Sequence, residues 1–341
     1  MSLQPTMEPP ASETLLPRFA GVGDAADLCV VIVNYNTAHL LERCIGRLRV
    51  ASRDIAVRVV IVDNASRDGS AAFIREHFPD CVLIANEENV GFGRANNQAL
   101  EFCNGPYLLL LNADAYVCPD TLVKSLAHMH ARPRCGVLGV RLTNEAGQSS
   151  YRGRPFPDTW TNFLVQTGLW RLFYAPPAPS SDADEPAGGA WACDWVVGCF
   201  YLTRREVIEQ VGLFDPRYFL YFEEVDHCRA VKDAGWTVEC LAGASVIHVG
   251  GGSAESEGEL SASGRQISAL QTESELLYYR KHNGLPGLLA TVSLALLADA
   301  IRSFKWILKR RRFAGVGVFW RNSVMVCRLA RQTRLGTRAT R

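Results

Sequence analysis

The sequence of 341 residues shows no secretory pattern in its first residues, no paired-cysteine motif and no uncharged apolar run long enough to span a membrane. Residues 1–27 lack a basic-then-apolar pattern, so we expect a loose leader and a protein that stays in the cytoplasm. None of the eleven cysteines forms a Cys-x-x-Cys pair, which favours buried, reduced thiols over a disulfide framework or a zinc site. The uncharged stretch Leu285–Ala298 is shorter than the ~20 residues of a membrane-spanning helix.

Acidic residues are absent from the C-terminal end of the chain. Arg302 to Arg341 contains twelve Lys or Arg and no Asp or Glu, whereas the preceding 301 residues carry a net charge of −11. Basic and apolar side chains of this segment fall on separate faces of a predicted helix. We therefore predict that residues 266–341 form a basic helical region that binds an anionic membrane surface. The alternative is that this region packs as a helix on the rest of the protein. The apolar face of the basic region disfavours nucleic acid as its partner.

Short apolar runs alternate with helical periodicity from Leu28 to about Arg132, and most of these runs end in Asn or Asp. This alternation predicts an α/β domain with a doubly wound parallel sheet, whose polar strand ends share one edge. The run of four leucines after Tyr107 is the clearest buried strand, and it ends in Asn112-Ala-Asp114. Ligands bind at the carboxyl ends of such strands, so Asp114 is a candidate ligand for a hard divalent cation. The alternative is a turn.

A third glycine is missing from the pair Gly91-x-Gly93, which also follows a loop instead of the first strand. We therefore set aside a dinucleotide-binding site and expect these glycines to let the backbone approach a ligand or enter a helix. Periodicity fails from Gln148 to Ala190. Residues 176–190 look like a low-complexity insertion, and residues 253–265 look like a mobile loop.

Four polar groups stand where strands end or helices begin, and each has a structural alternative. Asp63 and Asp114 could start turns, and His248 could be a buried structural histidine. The cluster Glu223-Glu-Val-Asp226 suits the positive end of a helix, where Asp226 could pair with Arg229. Together, carboxylates at strand ends, a carboxylate cluster at a helix start and a late histidine favour one shared site.

This set of motifs resembles glycosyltransferase family 2. The resemblance covers about Leu28 to Gly252 and depends on the order and spacing of eight motifs: Val33-Asn-Tyr-Asn36, Val62-Asp-Asn-Ala-Ser66, Asn89-Val-Gly-Phe-Gly93 with Asn96, Leu111-Asn-Ala-Asp114, Trp195-Val-Val-Gly-Cys199, Gly212-Leu-Phe-Asp215, Tyr221-Phe-Glu-Glu-Val-Asp226 and Ile247-His248. Within the family, the sequence is most similar to the rhamnosyltransferase-like branch that builds bacterial cell-surface polysaccharides. The resemblance implies a GT-A type doubly wound mixed sheet over residues 28–252, with a C-terminal helical appendage on the membrane surface.

The resemblance also implies a donor site for a dTDP- or UDP-linked sugar. Asp63 would accept a hydrogen bond from the imide N–H of the pyrimidine. Asp114 and His248 would hold Mg²⁺ or Mn²⁺, which neutralises the leaving diphosphate, and the imidazole favours Mn²⁺. The implied nucleotide-sugar residues are Asn34, Asn36, Asp63, Asn64, Gly91, Gly93, Asn96, Asn112 and Ala113.

Glu224 is the implied general base of an inverting transfer to a lipid-linked or growing glycan at the inner face of the cell membrane. The family usually has Asp here, so Glu223 and Asp226 remain alternatives. Many relatives also have Asp where this chain has Asn112, which leaves fewer anionic metal ligands. A nucleotidyltransferase and a non-catalytic binder of nucleotide-sugars are the competing functions. The first normally has a Gly-rich basic loop after strand one, where Asn34-Tyr-Asn-Thr37 stands here.

Overall fold

In the computed structural model, the described residues are 18–151, 153–172, 189–249, 265–310 and 316–341. The strands are β1 Leu28–Asn34, β2 Val57–Asp63, β3 Val82–Ala85, β4 Tyr107–Leu111, β5 Ala115–Val117, β6 Cys135–Thr143, β7 Ser149–Tyr151, β8 Ala190–Ala192, β9 Phe200–Arg204 and β10 Thr237–His248. The helices are α1 Ala38–Ala51, α2 Ser70–His77, α3 Phe92–Gln98, α4 Thr121–Ala131, α5 Thr159–Thr167, α6 Arg205–Val211, α7 Glu223–Asp233, α8 Arg265–Arg310 and α9 Val316–Gln332. The strands form one sheet in the order β3-β2-β1-β4-β9-β6-β10-β5, with β7 beside β6 and β8 beside β10.

The first half of the sheet is parallel, as the sequence predicts. Strands β3, β2, β1 and β4 pair in parallel, and β1, β2 and β4 are buried almost throughout. Continuous apolar runs fit here because core clusters cover both faces of the sheet. Asn34 and Asp63 are partners in the register of β1 and β2. The polar strand ends therefore lie side by side at one edge.

The second half of the sheet is mixed, because β9 runs antiparallel between β4 and β6. Strand β10 runs from Thr237 to His248 with a register shift between Leu241 and Ser245. Its last residue, His248, lies opposite Ala115 of β5. The motif that begins at Trp195 leads through a turn into β9, which starts at Phe200.

Two predictions about the ends and thiols of the domain need correction. Phe19, within the predicted loose leader, is buried, and its N–H donates to Asp80 over 3.0 Å. Residues 18–27 are thus held against the sheet, while residues 1–17 lie outside the described residues. Cys29 and Cys103 form a disulfide with Cα atoms 5.5 Å apart, so the expectation of reduced thiols fails for this pair. Spacing did not reveal it, because the two cysteines are 74 residues apart.

The C-terminal region consists of two helices that pack together. Helix α8 bends at Gly284, where φ is 66°, and the buried Asp299 accepts hydrogen bonds from Asn322 and Ser323 of α9. By length and composition alone, α8 is apolar enough over Ala269–Lys309 to cross a membrane. The uncharged stretch Leu285–Ala298 is only part of this helix, so its length alone underestimates the apolar segment. Most of the predicted insertion and mobile loop lie outside the described residues, although Ala190 belongs to β8.

Candidate active site

The ends of β1 and β2 form a hydrogen-bonded group of polar side chains. Asn34 Nδ2 donates to Asp63 Oδ1 over 2.8 Å and to Ser66 Oγ over 3.1 Å. Thr37 Oγ1 donates to Asn34 Oδ1 over 2.7 Å, and the Ser66 N–H donates to Asp63 Oδ2 over 3.2 Å. Asp63 is 3% exposed, and each of its oxygens keeps a lone pair for a further donor. The structure thus brings the predicted residues Asn34 and Asp63 together. Ser66, the last residue of the motif that contains Asp63, belongs to the same hydrogen-bonded group, although it was not predicted as a site residue.

Asn36 and Asn64 shape the loops around this group. Asn36 adopts a positive φ of 52°, and its Oδ1 accepts a hydrogen bond of 2.7 Å from the Arg67 N–H. Asn64 Nδ2 donates to Asn89 Oδ1 over 2.8 Å, and its Oδ1 accepts from the Val90 N–H over 3.0 Å. Asn64 therefore ties the end of β2 to the loop before α3.

Gly91 and Gly93 let α3 pack against the protein itself. A Cβ at Gly91 would lie 2.5 Å from the carbonyl oxygen of Phe219, and one at Gly93 would lie 3.3 Å from Phe214 Cβ and 3.6 Å from Glu223 Cβ. The Phe92 N–H also donates to Phe219 O over 2.8 Å. The close backbone approach that the sequence predicts is therefore made to the loop before α7.

Replacement of Gly91 by Ala should destabilise the protein far more than replacement of Gly69 by Ala. Both glycines have positive φ, 91° and 86°, but a Cβ at Gly69 would meet nothing within 4 Å. We expect Gly69→Ala to cost about 1 kcal/mol of unfolding free energy and Gly91→Ala more than about 3 kcal/mol, because the clash adds to the strained φ. Urea unfolding measures both, and equal losses would contradict this packing.

Asn96 and Asn112 lie close to the same edge. Asn96 is 1% exposed, its Nδ2 donates to the Phe92 carbonyl over 2.9 Å, and its buried Oδ1 has no hydrogen-bond partner among the described residues. The Asn112 N–H donates to the carbonyl oxygen of Cys199 over 3.1 Å. A buried acceptor without a partner is a feature that a ligand donor would satisfy.

Asp114 and His248 meet because β10 and β5 pair at this edge. Asp114 Oδ1 lies 3.4 Å from His248 Nε2, and the Val249 N–H donates to the Asp114 carbonyl over 3.2 Å. Asp114 is 7% exposed and Ala113 beside it 4%. Neighbouring ligands of one octahedral cation lie about 3 Å apart, so this carboxylate–imidazole pair fits a shared divalent ion.

Glu223, which is buried, and Glu224, which is half-buried, form an acidic pair in the first turn of α7. One oxygen of each carboxylate is buried without a hydrogen-bond partner among the described residues. Burial raises the pKa of Glu224 to about 7. Burial, and then the charge of Glu224, raise the pKa of Glu223 well above its ordinary value. Tyr221 and Phe222, just before them, both have φ of 69°, a strained conformation for such side chains that occurs often at functional sites.

Asp226 belongs to a different group of contacts. It accepts hydrogen bonds from Lys281 Nζ over 2.7 Å, from His282 Nε2 over 2.6 Å and from Tyr218 Oη over 3.1 Å. Burial alone would raise the pKa of Asp226, but the hydrogen bonds from His282 and Lys281 lower it. Asp226 is therefore a poor proton acceptor.

The expected pairing of Asp226 with Arg229 was wrong, since Arg229 Nη1 lies 3.3 Å from Tyr278 Oη instead. Lys281 and His282, which the sequence analysis missed, anchor α8 to the first turn of α7.

The charges of the metal-ligand pair and of the glutamate pair both act on the buried Cys199. Burial raises the pKa of its thiol above the usual range, and the charges of Asp114 and Glu224 raise it further. Strands β2 and β4 flank β1, so Asp63 lies about 10 Å from the Asp114 end of the same edge. Asp226 is separate from this group, because its carboxylate is held by Lys281 and His282 of α8. That the other predicted residues form one site stays a prediction.

Comparison with known proteins gives three findings. The glycosyl transferase family 2 model matches residues 29–212, more than half of the chain. An N-acetylglucosaminyl-diphospho-decaprenol L-rhamnosyltransferase of Mycobacterium tuberculosis is 28% identical over 243 residues, covering 65% of this chain and 75% of that protein. The rhamnosyltransferase WbbL of Escherichia coli is 27% identical over 167 residues, covering 46% and 60%.

Among solved structures, the mannosyltransferase PcManGT from Pyrobaculum calidifontis, in complex with GDP-Man and Mn²⁺, matches with a TM-score of 0.53. It is 15% identical, and the match covers 94% of this chain and 90% of that one. This likeness concerns the fold, and it confirms the predicted GT-A type mixed sheet. The chain therefore belongs to glycosyl transferase family 2 and is a glycosyltransferase.

Proposed function

We propose that this glycosyltransferase is an inverting, divalent-metal-dependent enzyme that transfers a sugar, with rhamnose as our choice, from a nucleoside diphosphate to a hydroxyl of a lipid-linked or growing cell-surface glycan. The observation that carries the proposal is the contact of Asp114 with His248, together with a nearby Glu224 whose charge acts with that of Asp114 on the same buried thiol of Cys199. Because the chain belongs to this family, we set aside the two competing functions, a nucleotidyltransferase and a non-catalytic binder of nucleotide-sugars. The rhamnosyltransferases among its relatives support the choice of sugar.

The donor would bind across the polar edge of the sheet. Asp63, held by Asn34 and Ser66, would accept the imide N–H of a pyrimidine in a dTDP- or UDP-linked donor. Asp114 and His248 would hold Mg²⁺ or Mn²⁺, which when bound neutralises negative charge on the diphosphate. The unpartnered Oδ1 of Asn96 would accept a further donor hydrogen bond.

Glu224 would remove the proton from the acceptor hydroxyl as its oxygen attacks the anomeric carbon. The new C–O bond forms while the bond from the anomeric carbon to the diphosphate oxygen breaks, so a single displacement inverts the configuration. A carboxylate with a pKa of about 7 is matched to this proton transfer near neutral pH. Burial and the charge of Glu224 both raise the pKa of Glu223 and disfavour its carboxylate form, so we choose Glu224 as the base.

A panel of nucleotide-sugars with Mn²⁺ tests the donor assignment by thermal shift and by hydrolysis. We expect dTDP-rhamnose or a UDP-sugar to stabilise the protein and GDP-mannose to do so much less, since Asp63 would be matched to a pyrimidine imide. The variant Asp63→Ala should lose this preference. Stronger stabilisation by GDP-mannose in the wild type would overturn the pyrimidine assignment.

The C-terminal helices would place the enzyme on the anionic inner surface of the cell membrane. Large apolar side chains on α8 and α9 are exposed, including Leu289, Leu297, Phe304, Trp306, Leu308, Val318 and Trp320. Exposed Lys309, Arg321 and Arg328 accompany them. Phe163 and Leu164 of α5 pack on Ala298 of α8. Because α8 is partly covered by the protein, we favour a position of α8 on the membrane surface over one in which it crosses the membrane. Lys305 of the basic segment donates to the Thr167 carbonyl over 2.7 Å and so contacts the domain itself.

The double variant Phe304→Ser/Trp320→Ser should weaken co-sedimentation with phosphatidylglycerol-containing vesicles by at least about tenfold. Each large apolar side chain contributes about 1.5–3 kcal/mol to the free energy of membrane binding when it is fully buried in lipid. Even partial burial of two such side chains therefore changes the affinity more than about tenfold. Val123→Ser is the matched control, because Val123 is equally apolar, 47% exposed and located on α4. Unchanged sedimentation of the double variant would rule out this face as the membrane contact.

A further inference from the structure

The sheet edge opposite the candidate active site carries another cluster of metal-binding side chains. His128 lies on α4, Cys135 begins β6 and Glu239 lies near the start of β10. Their ligand atoms all lie within 4.8 Å of one another. Strands β6 and β10 are parallel to each other, and β6 has the same direction as β4 because β9 runs antiparallel to both. The cluster is thus at the amino ends of strands, whereas Asp114 follows a carboxyl end.

The three side chains are buried and oriented. His128 Nε2 lies 2.8 Å from Glu239 Oε2, and these side chains are only 9% and 13% exposed. The other Glu239 oxygen accepts a hydrogen bond of 2.8 Å from Thr237 Oγ1, and Cys135 is fully buried. A carboxylate in such a place is costly unless opposite charge compensates it. An outer hydrogen bond that fixes one oxygen leaves the second directed at the imidazole and the thiol.

We propose that His128, Cys135 and Glu239 form a binding site for Zn²⁺ that is separate from the sugar-transfer site. Sulfur, imidazole nitrogen and carboxylate oxygen are the ligand atoms that Zn²⁺ takes in proteins. Ligand atoms of a tetrahedral zinc site lie about 3.3–3.8 Å apart. The atoms here lie within 4.8 Å of one another, and the nitrogen–oxygen pair is 2.8 Å apart, so small side-chain rotations would bring them to that spacing. Water would complete the fourth position. The bound ion would join α4 to β6 and β10 and so stabilise this edge of the domain.

Binding requires the thiol of Cys135 to lose its proton. Burial, followed by the charge of Glu239, raises the pKa of Cys135 to about 12, while Arg204 opposes the rise. Without a cation the thiol is therefore protonated. When Zn²⁺ binds, the zinc–sulfur bond forms, the S–H proton passes to water and no group is oxidised or reduced. No spacing motif in the sequence reveals the site, because its ligands come from three separate elements.

Cobalt provides the test, since Co²⁺ occupies zinc sites and a thiolate ligand gives it an intense near-ultraviolet charge-transfer band. EDTA-treated full-length protein carrying Asp114→Ala, which lacks the candidate catalytic ligand, is titrated with Co²⁺ alone. We expect one equivalent to bind with the thiolate band and Zn²⁺ to displace it. Absence of the band in this folded protein would overturn the proposal without bearing on the transfer reaction.

Single substitutions then identify the ligands in the same background. Cys135→Ala should abolish the band, and Glu239→Gln should weaken Co²⁺ binding at least tenfold. Cys81→Ala is the matched control, because Cys81 is a free, partly buried cysteine elsewhere, and it should keep the full band. Circular dichroism verifies folding of each variant. A band that survives in folded Cys135→Ala, or is lost in Cys81→Ala, would contradict the assignment.

Discussion

Replacement of Glu224 by Gln should lower kcat by about 10²–10⁴-fold while donor binding is retained. Gln has nearly the same shape, but its amide does not accept a proton from the acceptor hydroxyl. Glu224 lies in the first turn of α7, where one of its oxygens is buried without a partner among the described residues, so the amide group of Gln can take that position without displacing a partner. Initial rates of transfer give kcat, and calorimetry with the donor gives Kd.

The pH dependence of the two proteins separates a base from a structural carboxylate. With the pKa of Glu224 at about 7, the wild-type rate should rise with pH and level off above about pH 7, and this limb should vanish in Glu224→Gln. The folded-state pKa is raised above its ordinary value, so the stabilisation belongs to the protonated form. Stability should therefore fall as pH rises from about 4.5 through 7, and the variant should show a flatter profile.

Glu223→Gln is the control, because it makes the same chemical change one position earlier. We expect it to retain most of the turnover, since burial and the charge of Glu224 raise the pKa of Glu223 and disfavour its carboxylate form. Loss of turnover in Glu223→Gln, together with retention in Glu224→Gln, would move the base to Glu223. Asp226→Asn should instead lower stability, since it breaks the contacts with Lys281 and His282.

Replacement of Asp114 by Ala should abolish the part of donor affinity that depends on Mn²⁺ or Mg²⁺. Asp114 provides the carboxylate of the pair with His248, and imidazole alone binds these hard cations weakly. Calorimetric titration of the donor with and without Mn²⁺ measures the difference. We expect wild-type affinity to fall by at least about 10² when the cation is omitted and the variant to be insensitive to it.

Asp120→Ala serves as the control, because Asp120 is an exposed carboxylate six residues away that pairs with Lys124. It should leave the metal dependence unchanged. His248→Ala should weaken the metal dependence less than Asp114→Ala, since the carboxylate remains. Donor binding that responds to Mn²⁺ equally in wild type and Asp114→Ala would show that the cation binds elsewhere.

Local patterns predicted most of the catalytic domain correctly because they depend on residues close together in the chain. Apolar runs that end in Asn or Asp identified β1, β2 and β4 and the polar edge where Asn34 meets Asp63. Helix α5 was missed, although Asp158, whose side chain accepts from the Thr161 N–H over 2.7 Å, and the left-handed Gly168 mark its two ends. These capping residues were a usable signal in a stretch without apolar periodicity.

The sequence by itself determined the order of strands and helices, the family motifs and the carboxylates that follow strands. Only the tertiary structure decided which of those carboxylates are free to act. It placed Asp226 in an ion pair with α8, left Glu224 half-buried with a raised pKa, and brought His248 to Asp114 through the pairing of β10 with β5. The physical reason is that burial and pairing depend on groups distant in the chain, whereas sequence patterns record only neighbours.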